Sequence, residues 1–185
     1  MKRVFLAINF NDCVFINEYI SELKSNLRAE NIKWVEPKNA HLTLKFFGPT
    51  TNVQLQLIEN TLETNLKNKQ SFSLVFDKLG IFGSKYQPRL LWMGMENSDD
   101  ILKLQNEIML ALEGIDIESG RQNFVPHLTI GRIKNLQSKK YFQSVIDHYK
   151  IFASPPILIN RIFLYESILR KEGPEYRVLK EFVLR

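Results

Sequence analysis

The chain holds three histidines in 185 residues, and two of them open nearly identical tetrapeptides. These are His41-Leu42-Thr43-Leu44 and His127-Leu128-Thr129-Ile130, 86 positions apart. A β-strand alternates its side chains between two faces, so each histidine shares a face with the threonine two positions on, while the aliphatic residues turn to the other face. Two such strands meeting across a cleft put two imidazoles and two hydroxyls around one small volume. Imidazole titrates at about 6.5, so near neutral pH one ring can be neutral and its partner protonated. The neutral ring takes a proton from an attacking water and the protonated ring gives one to a leaving oxygen. The Thr43 and Thr129 hydroxyls can hydrogen-bond oxygens that gain negative charge. The chemistry this set fits is in-line displacement at phosphorus without a metal.

Strands and helices must place the two motifs. Arg3 to Phe10 reads as an opening strand, apolar enough to be central. Asp12 is placed to cap a helix running to about Arg28, with Ile16, Ile20, Leu23 and Leu27 at helical spacing. His41 to Phe47 alternates polar and apolar residues and stops at Gly48-Pro49. Thr50 or Thr51 caps a second helix carrying Val53, Leu57, Ile58 and Leu62. Strands over Phe72 to Phe82 and Arg89 to Met95 follow, with a turn at Lys85 to Pro88. The second half repeats the theme. Ser98 caps a helix with Ile101, Leu104, Ile108 and Leu112 on one stripe, stopped at Gly114. His127 to Ile133 is a strand, Ser138 to Tyr149 a helix, and Ile157 to Ile168 and Tyr176 to Leu184 are strands around a turn at Gly173-Pro174. Helices mixed with antiparallel hairpins predict an α+β fold, and no linker separates independent units, so residues 1–185 are expected to form one domain.

The composition, 44% hydrophobic and 24% charged, is that of a globular chain. The apolar run Val4 to Ile8 is too short for a signal peptide, no stretch approaches a membrane span, and the single cysteine, Cys13, excludes an intramolecular disulfide. A cytoplasmic protein is expected. The formal charge of +5 favours association with polyanions.

The paired motifs resemble those of the 2H phosphoesterase superfamily, in particular its bacterial and archaeal RNA 2′,3′-cyclic phosphodiesterase branch, also called 2′-5′ RNA ligase. The likeness covers essentially the whole chain. It includes Arg3-Val4-Phe5-Leu6-Ala7, Trp34-Val35 ahead of His41 to Gly48, Pro88 to Trp92, Phe124 to Arg132, Tyr165-Glu166-Ser167 and Gly173-Pro174-x-Tyr176. Gly131 departs from it, standing where alanine is expected. The resemblance implies a bilobed, pseudo-symmetric fold, with two mixed or antiparallel sheets facing a central cleft and helices outside. It implies His41 as proton donor and His127 as proton acceptor, a choice the near-equivalent motifs do not make by themselves. The implied substrate is RNA ending in a 2′,3′-cyclic phosphate, or a cyclic nucleotide. The implied product is a 2′-phosphate, with 2′-5′ joining as the related reaction. A monomer without cofactor is expected.

Superposing the motifs on each other pairs Phe46 with Arg132, each five residues after its histidine. An aromatic ring and a guanidinium so placed could sandwich a nucleobase. Strict alternation puts both on the core side, so this needs a strand end or a bulge. Lys45 keeps parity with His41 and Thr43 and could steer phosphate instead. Phe46, Trp34 and Trp92 also suit a core, and Arg132 also suits an ordinary surface. His148 has no motif around it and reads as a surface residue. Zinc is the rival enzyme reading, but there is no His-x-His, no cysteine pair and no carboxylate at ligand spacing. The rival from another class is a non-catalytic RNA-end or nucleotide-binding module on the same scaffold.

Overall fold

The computed structural model describes residues 1–84, 86–115, 124–171 and 173–185. Strand β1 (Lys2–Asn9) is buried from Val4 to Ile8, as a strand covered on both faces must be. Val4, Leu6 and Ile8 enter the main core; Phe5 and Ala7 enter a smaller aromatic cluster with Tyr165 on the other face. Helix α1 (Val14–Asn26) buries Ile16, Tyr19, Ile20 and Leu23. It starts one position later than Asp12 suggests: Cys13 is the N-cap and makes no side-chain bond to the helix. Strand β2 (Asn31–Trp34) and a single 3₁₀ turn at Pro37–Asn39 lead into β3 (His41–Thr50). β3 does not stop at Gly48-Pro49. Gly48 takes φ +74°, and the strand continues beside β1 to Thr50.

Helix α2 (Asn52–Leu66) opens on a capping box, with the Thr51 hydroxyl accepting from the Gln54 N–H and the Gln54 side chain accepting from the Thr51 N–H. The expected strand over Phe72 to Phe82 is two, β4 (Phe72–Leu74) and β5 (Lys78–Gly83), which pair with different partners. β6 (Pro88–Gly94) follows the turn, of which Lys85 lies outside the described residues. Then come α3 (Asp99–Ala111), β7 (His127–Asn135) and α4 (Lys139–Tyr149), whose Ser138 cap accepts from the Tyr141 N–H at 3.2 Å. The chain ends with β8 (Ile157–Ile159), β9 (Arg161–Leu169) and β10 (Pro174–Val183).

The main sheet has the order β10-β9-β1-β3-β7-β6-β5, with β2 also on β7; β4 and β8 form a separate two-stranded ribbon. All pairings are antiparallel. The two expected sheets are thus two four-stranded halves of one. Among the described residues they are joined at a single pair, Leu42 opposite Leu128. β3 then leaves β7, and β2 takes its place beside Gly131 to Asn135. Both leucines of that pair are fully buried, each contributing about 1.5–3 kcal/mol from burial alone. They share a core with Leu44, Ile130 and the apolar stripes of all four helices. The helices therefore cover one face of the sheet, and the motif histidines emerge on the other. The Glu30 carboxylate accepts from the N–H groups of Gln137 (2.6 Å) and Ser138 (3.2 Å), tying the start of β2 to the entry of α4. No helix among the described residues is long and apolar enough to cross a membrane.

Candidate active site

Two matched bulges decide which side chains reach the open face. In β3 the pairing with β1 slips between Thr43 and Lys45, leaving Leu44 as the extra residue. In β7 the pairing with β6 slips between Thr129 and Gly131, leaving Ile130 as the extra residue. Both extra residues lie three positions after the motif histidine, and both are buried. A bulge reverses the alternation beyond it. Phe46 and Arg132, which strict alternation would send into the core, are accordingly exposed.

The two imidazoles are held alike. His41 Nδ1 lies 2.7 Å from the Asn39 carbonyl oxygen, and His127 Nδ1 lies 2.7 Å from the Val125 carbonyl oxygen. A carbonyl only accepts, so each Nδ1 carries the hydrogen and each Nε2 is left for chemistry. Aromatic rings fix the orientation. The His41 ring packs against Phe5 and the edge of Tyr176, each at 5.1 Å between centroids. The His127 ring stands edge-on to Phe82 at 4.8 Å, with Trp92 at 6.3 Å. Trp92 lies flat on Gly80, where a Cβ would come within 2.2 Å of its ring, so only glycine admits it. Gly131 has a similar reason for not being alanine: a Cβ there would meet Ile32 at 2.9 Å and Trp34 at 3.5 Å.

His41, Thr43, His127, Thr129 and Arg132 line one cleft of about 770 Å³, within the usual range for small-molecule sites. Lys45 and Phe46 do not line it; they lie further along β3, and the Arg3 guanidinium sits 5.5 Å over the Phe46 ring. Trp34 lines the cleft while also packing on the core, and His148 is exposed on α4. The cleft also takes Lys33, Leu90, Arg170 and Tyr176, to which sequence reasoning gave no role. Leu90 and Tyr176 were visible only within stretches that carry the family resemblance, Pro88 to Trp92 and Gly173-Pro174-x-Tyr176; Lys33 and Arg170 carry no sequence signal, because register and the fold of the hairpin put them there. Among the described residues, no group of three or more His, Cys, Asp or Glu side chains is placed to share a metal ion.

Burial holds the His41 imidazole below its ordinary value, with the positive charges of His127 and Arg132 adding to it and the bond to the Asn39 carbonyl opposing it. A lowered pKa in the folded state makes the unfolded chain the better proton acceptor, so this group's contribution is complete above its unfolded pKa and is lost as the pH falls through it. We expect the melting temperature to fall as the pH drops below about 6.5. His41→Phe should flatten that part of the profile, and an unchanged pH dependence would remove the burial argument.

Comparisons with known proteins identify the family. The model of the 2′-5′ RNA ligase superfamily matches residues 14–167, and the chain belongs to that family. It is 35% identical over 189 residues to an RNA 2′,3′-cyclic phosphodiesterase of Aquifex aeolicus, covering 100% of this chain and 99% of the relative. It is also 35% identical over 185 residues to the protein of the same name from Thermotoga maritima, covering 97% and 94%. In fold it is similar to TT0787 of Thermus thermophilus, with a TM-score of 0.79 at 23% identity over 99% and 98% of the two chains. Escherichia coli LigT complexed with 3′-AMP gives 0.78 at 21% identity, again over 99% and 98%.

Proposed function

We propose that the protein hydrolyses 2′,3′-cyclic phosphate ends of RNA to 2′-phosphates, using His41 and His127 as its acid–base pair. The observation that carries this reading is the matched seating of the two rings, each fixed through Nδ1 by a carbonyl two residues upstream. The names of the full-length relatives support the substrate. His127 Nε2 takes a proton from water as its oxygen attacks phosphorus. The bond to the ribose 3′ oxygen breaks, and His41 delivers its proton to that oxygen. Burial disfavours the imidazolium of His41 in the free protein, and the phosphate anion restores it on binding. Thr43 and Thr129 donate to the non-bridging oxygens. An RNA 5′-hydroxyl in place of water would give a 2′-5′ linkage, but water is present in vast excess.

Both rings come from one chain, one from each half of the sheet, so residues 1–185 act as a unit and a monomer suffices. The pair needs no metal. The test is to incubate a short RNA bearing a 2′,3′-cyclic phosphate with the protein in EDTA and to map the phosphate afterwards. Conversion to a 2′-phosphate is expected. An intact cyclic end that stays stoichiometrically bound would instead favour the non-catalytic binding module.

A further inference from the structure

We propose that Asn39 and Tyr176 are positioning residues of the reaction: together they fasten the β9–β10 hairpin over the His41 ring and hold that ring to one orientation. This deepens the function proposed above, on which it rests, at one of the two histidines. The two rings share a backbone seat, a carbonyl two residues upstream, but the side chains on those seats differ. On the His127 side the seat belongs to Val125, an exposed aliphatic residue with nothing to donate. On the His41 side it belongs to Asn39. Its backbone is fixed within the 3₁₀ turn, where the Asn39 N–H donates to the Glu36 carbonyl at 2.8 Å and the Ala40 N–H to the Pro37 carbonyl at 3.0 Å. Its side-chain amide donates to the Pro174 carbonyl at 3.3 Å, across 135 positions of sequence. One residue thus seats the imidazole through its main chain and anchors the hairpin through its side chain.

The anchored hairpin delivers Tyr176. That residue stands two positions beyond Pro174 on β10, opposite Ser167 of β9. In the sheet order β9 and β1 both lie between β10 and β3, so strand pairing alone does not bring Tyr176 to His41. Its ring nevertheless closes a triangle with Phe5 and His41, the centroids 4.9 Å from Phe5, 5.1 Å from His41 and 5.1 Å between those two. Tyr176 meets the imidazole at 85° and Phe5 meets it at 44°, which leaves that ring little room to turn. Displacing a reacting group by about 1 Å can cost on the order of 10²-fold in rate, so this restraint bears on the chemistry. The same cover keeps the His41 imidazole below its ordinary value, and the charged groups acting on it, His127 and Arg132, both come from β7. Burial pushes the Tyr176 hydroxyl up, against the pull of Arg132, so the phenol is neutral near pH 7, and Asn39 carries no charge. Replacing either residue therefore changes the cover of His41 without changing a charge near it.

The experiment reads kcat, KM and the NMR titration of both cleft imidazoles in the full chain, with the exposed His148 as internal reference. Tyr176→Ala should lower kcat on a 2′,3′-cyclic-ended RNA by about 10–10²-fold, with KM within a few fold. The His41 titration should move up toward the ordinary value of about 6.5, and that of His127 should not follow it upward. Tyr176→Phe keeps the ring and should leave both readouts at the wild-type level. Asn39→Ala keeps the seating carbonyl and every aromatic ring, and should give the same pattern at about 3–10-fold in kcat. It carries the test alone should Tyr176→Ala fail to fold. An equal loss in Tyr176→Phe and Tyr176→Ala would transfer the effect to the hydroxyl and overturn the positioning role. An unmoved His41 titration in both alanine variants, both histidines rising together, or a loss carried by KM would overturn it too. A wild type that leaves the cyclic end intact, with the titrations moving as expected, would instead overturn the proposed reaction and leave the hold on His41 standing.

Discussion

His127→Ala and His41→Ala should each lower kcat on a 2′,3′-cyclic-ended RNA by about 10²–10⁴-fold, the usual worth of one positioned acid or base. KM should stay within a few fold, because the role proposed for each ring is proton transfer in the transition state and not ground-state binding. The double variant should be little worse than the poorer single one, since a base without its acid partner, or the reverse, already loses the concerted transfer. His→Asn is the sharper pair of variants. Asparagine can donate to the carbonyl that now accepts from Nδ1, so the strand keeps its bond while the site loses Nε2. Single-turnover rates would show whether the loss lies in the chemical step. A loss confined to one histidine would leave the protein with a lone acid or base and would end the two-histidine mechanism. In the pH profile of kcat/KM, the two limbs belong to the coupled pair and not to either ring, and removing one ring should remove one limb.

Local pattern made the motif strands, the four helices and the two hydroxyl-bearing faces legible in the sequence. The alternation His-Leu-Thr-Leu is a strand written in single residues, and Thr51 with Gln54 is a helix start written the same way. Three features were not legible, each for a physical reason. β2 is four residues long and holds only Ile32 fully in the core, which is too short to establish a period. Phe72 to Phe82 reads as one largely apolar run, yet it divides because Leu74 pairs with Ile157 while Lys78 pairs with Gly94. The bulges at Leu44 and Ile130 depend on partners far away in sequence, so parity alone sends Arg132 to the wrong face. Superposing the two motifs did raise the question, because Phe46 and Arg132 could do chemistry only if such a slip existed.

The duplication also explains an asymmetry. Both halves carry the same strand, threonine and bulge, but they seat their histidines in different aromatic surroundings. Phe5 and Tyr176 pack against His41, and Tyr165 stacks on Phe5 behind them, with the Asn9 side chain donating to the Tyr165 hydroxyl at 3.0 Å. Phe82 and Trp92 stand beside His127 on a glycine-lined surface. Equivalent backbones thus set the two rings in unequal surroundings, and at His41 burial disfavours the charged ring.

Thr43→Val and Thr129→Val should each lower kcat by about 10²–10³-fold, the cost of losing one preorganised donor to a developing negative charge. Valine keeps the β-branch, so strand propensity and rotamer preference hardly change, and the melting temperature should stay within a few degrees. Ala7 stands opposite Thr43, and Trp92 stands opposite Thr129. Neither threonine therefore depends on a polar cross-strand partner that valine would strand. Thr→Ser supplies the discriminating control, since it keeps the hydroxyl and gives up the methyl. Retained activity in serine with loss in valine would assign the effect to the hydroxyl. The opposite order would mean that the threonines serve the strand and that the anion is held elsewhere, by Arg132 and the backbone. A loss in KM with kcat preserved would place the contact in the ground state, making the hydroxyls binding groups and not part of the transition-state stabilisation.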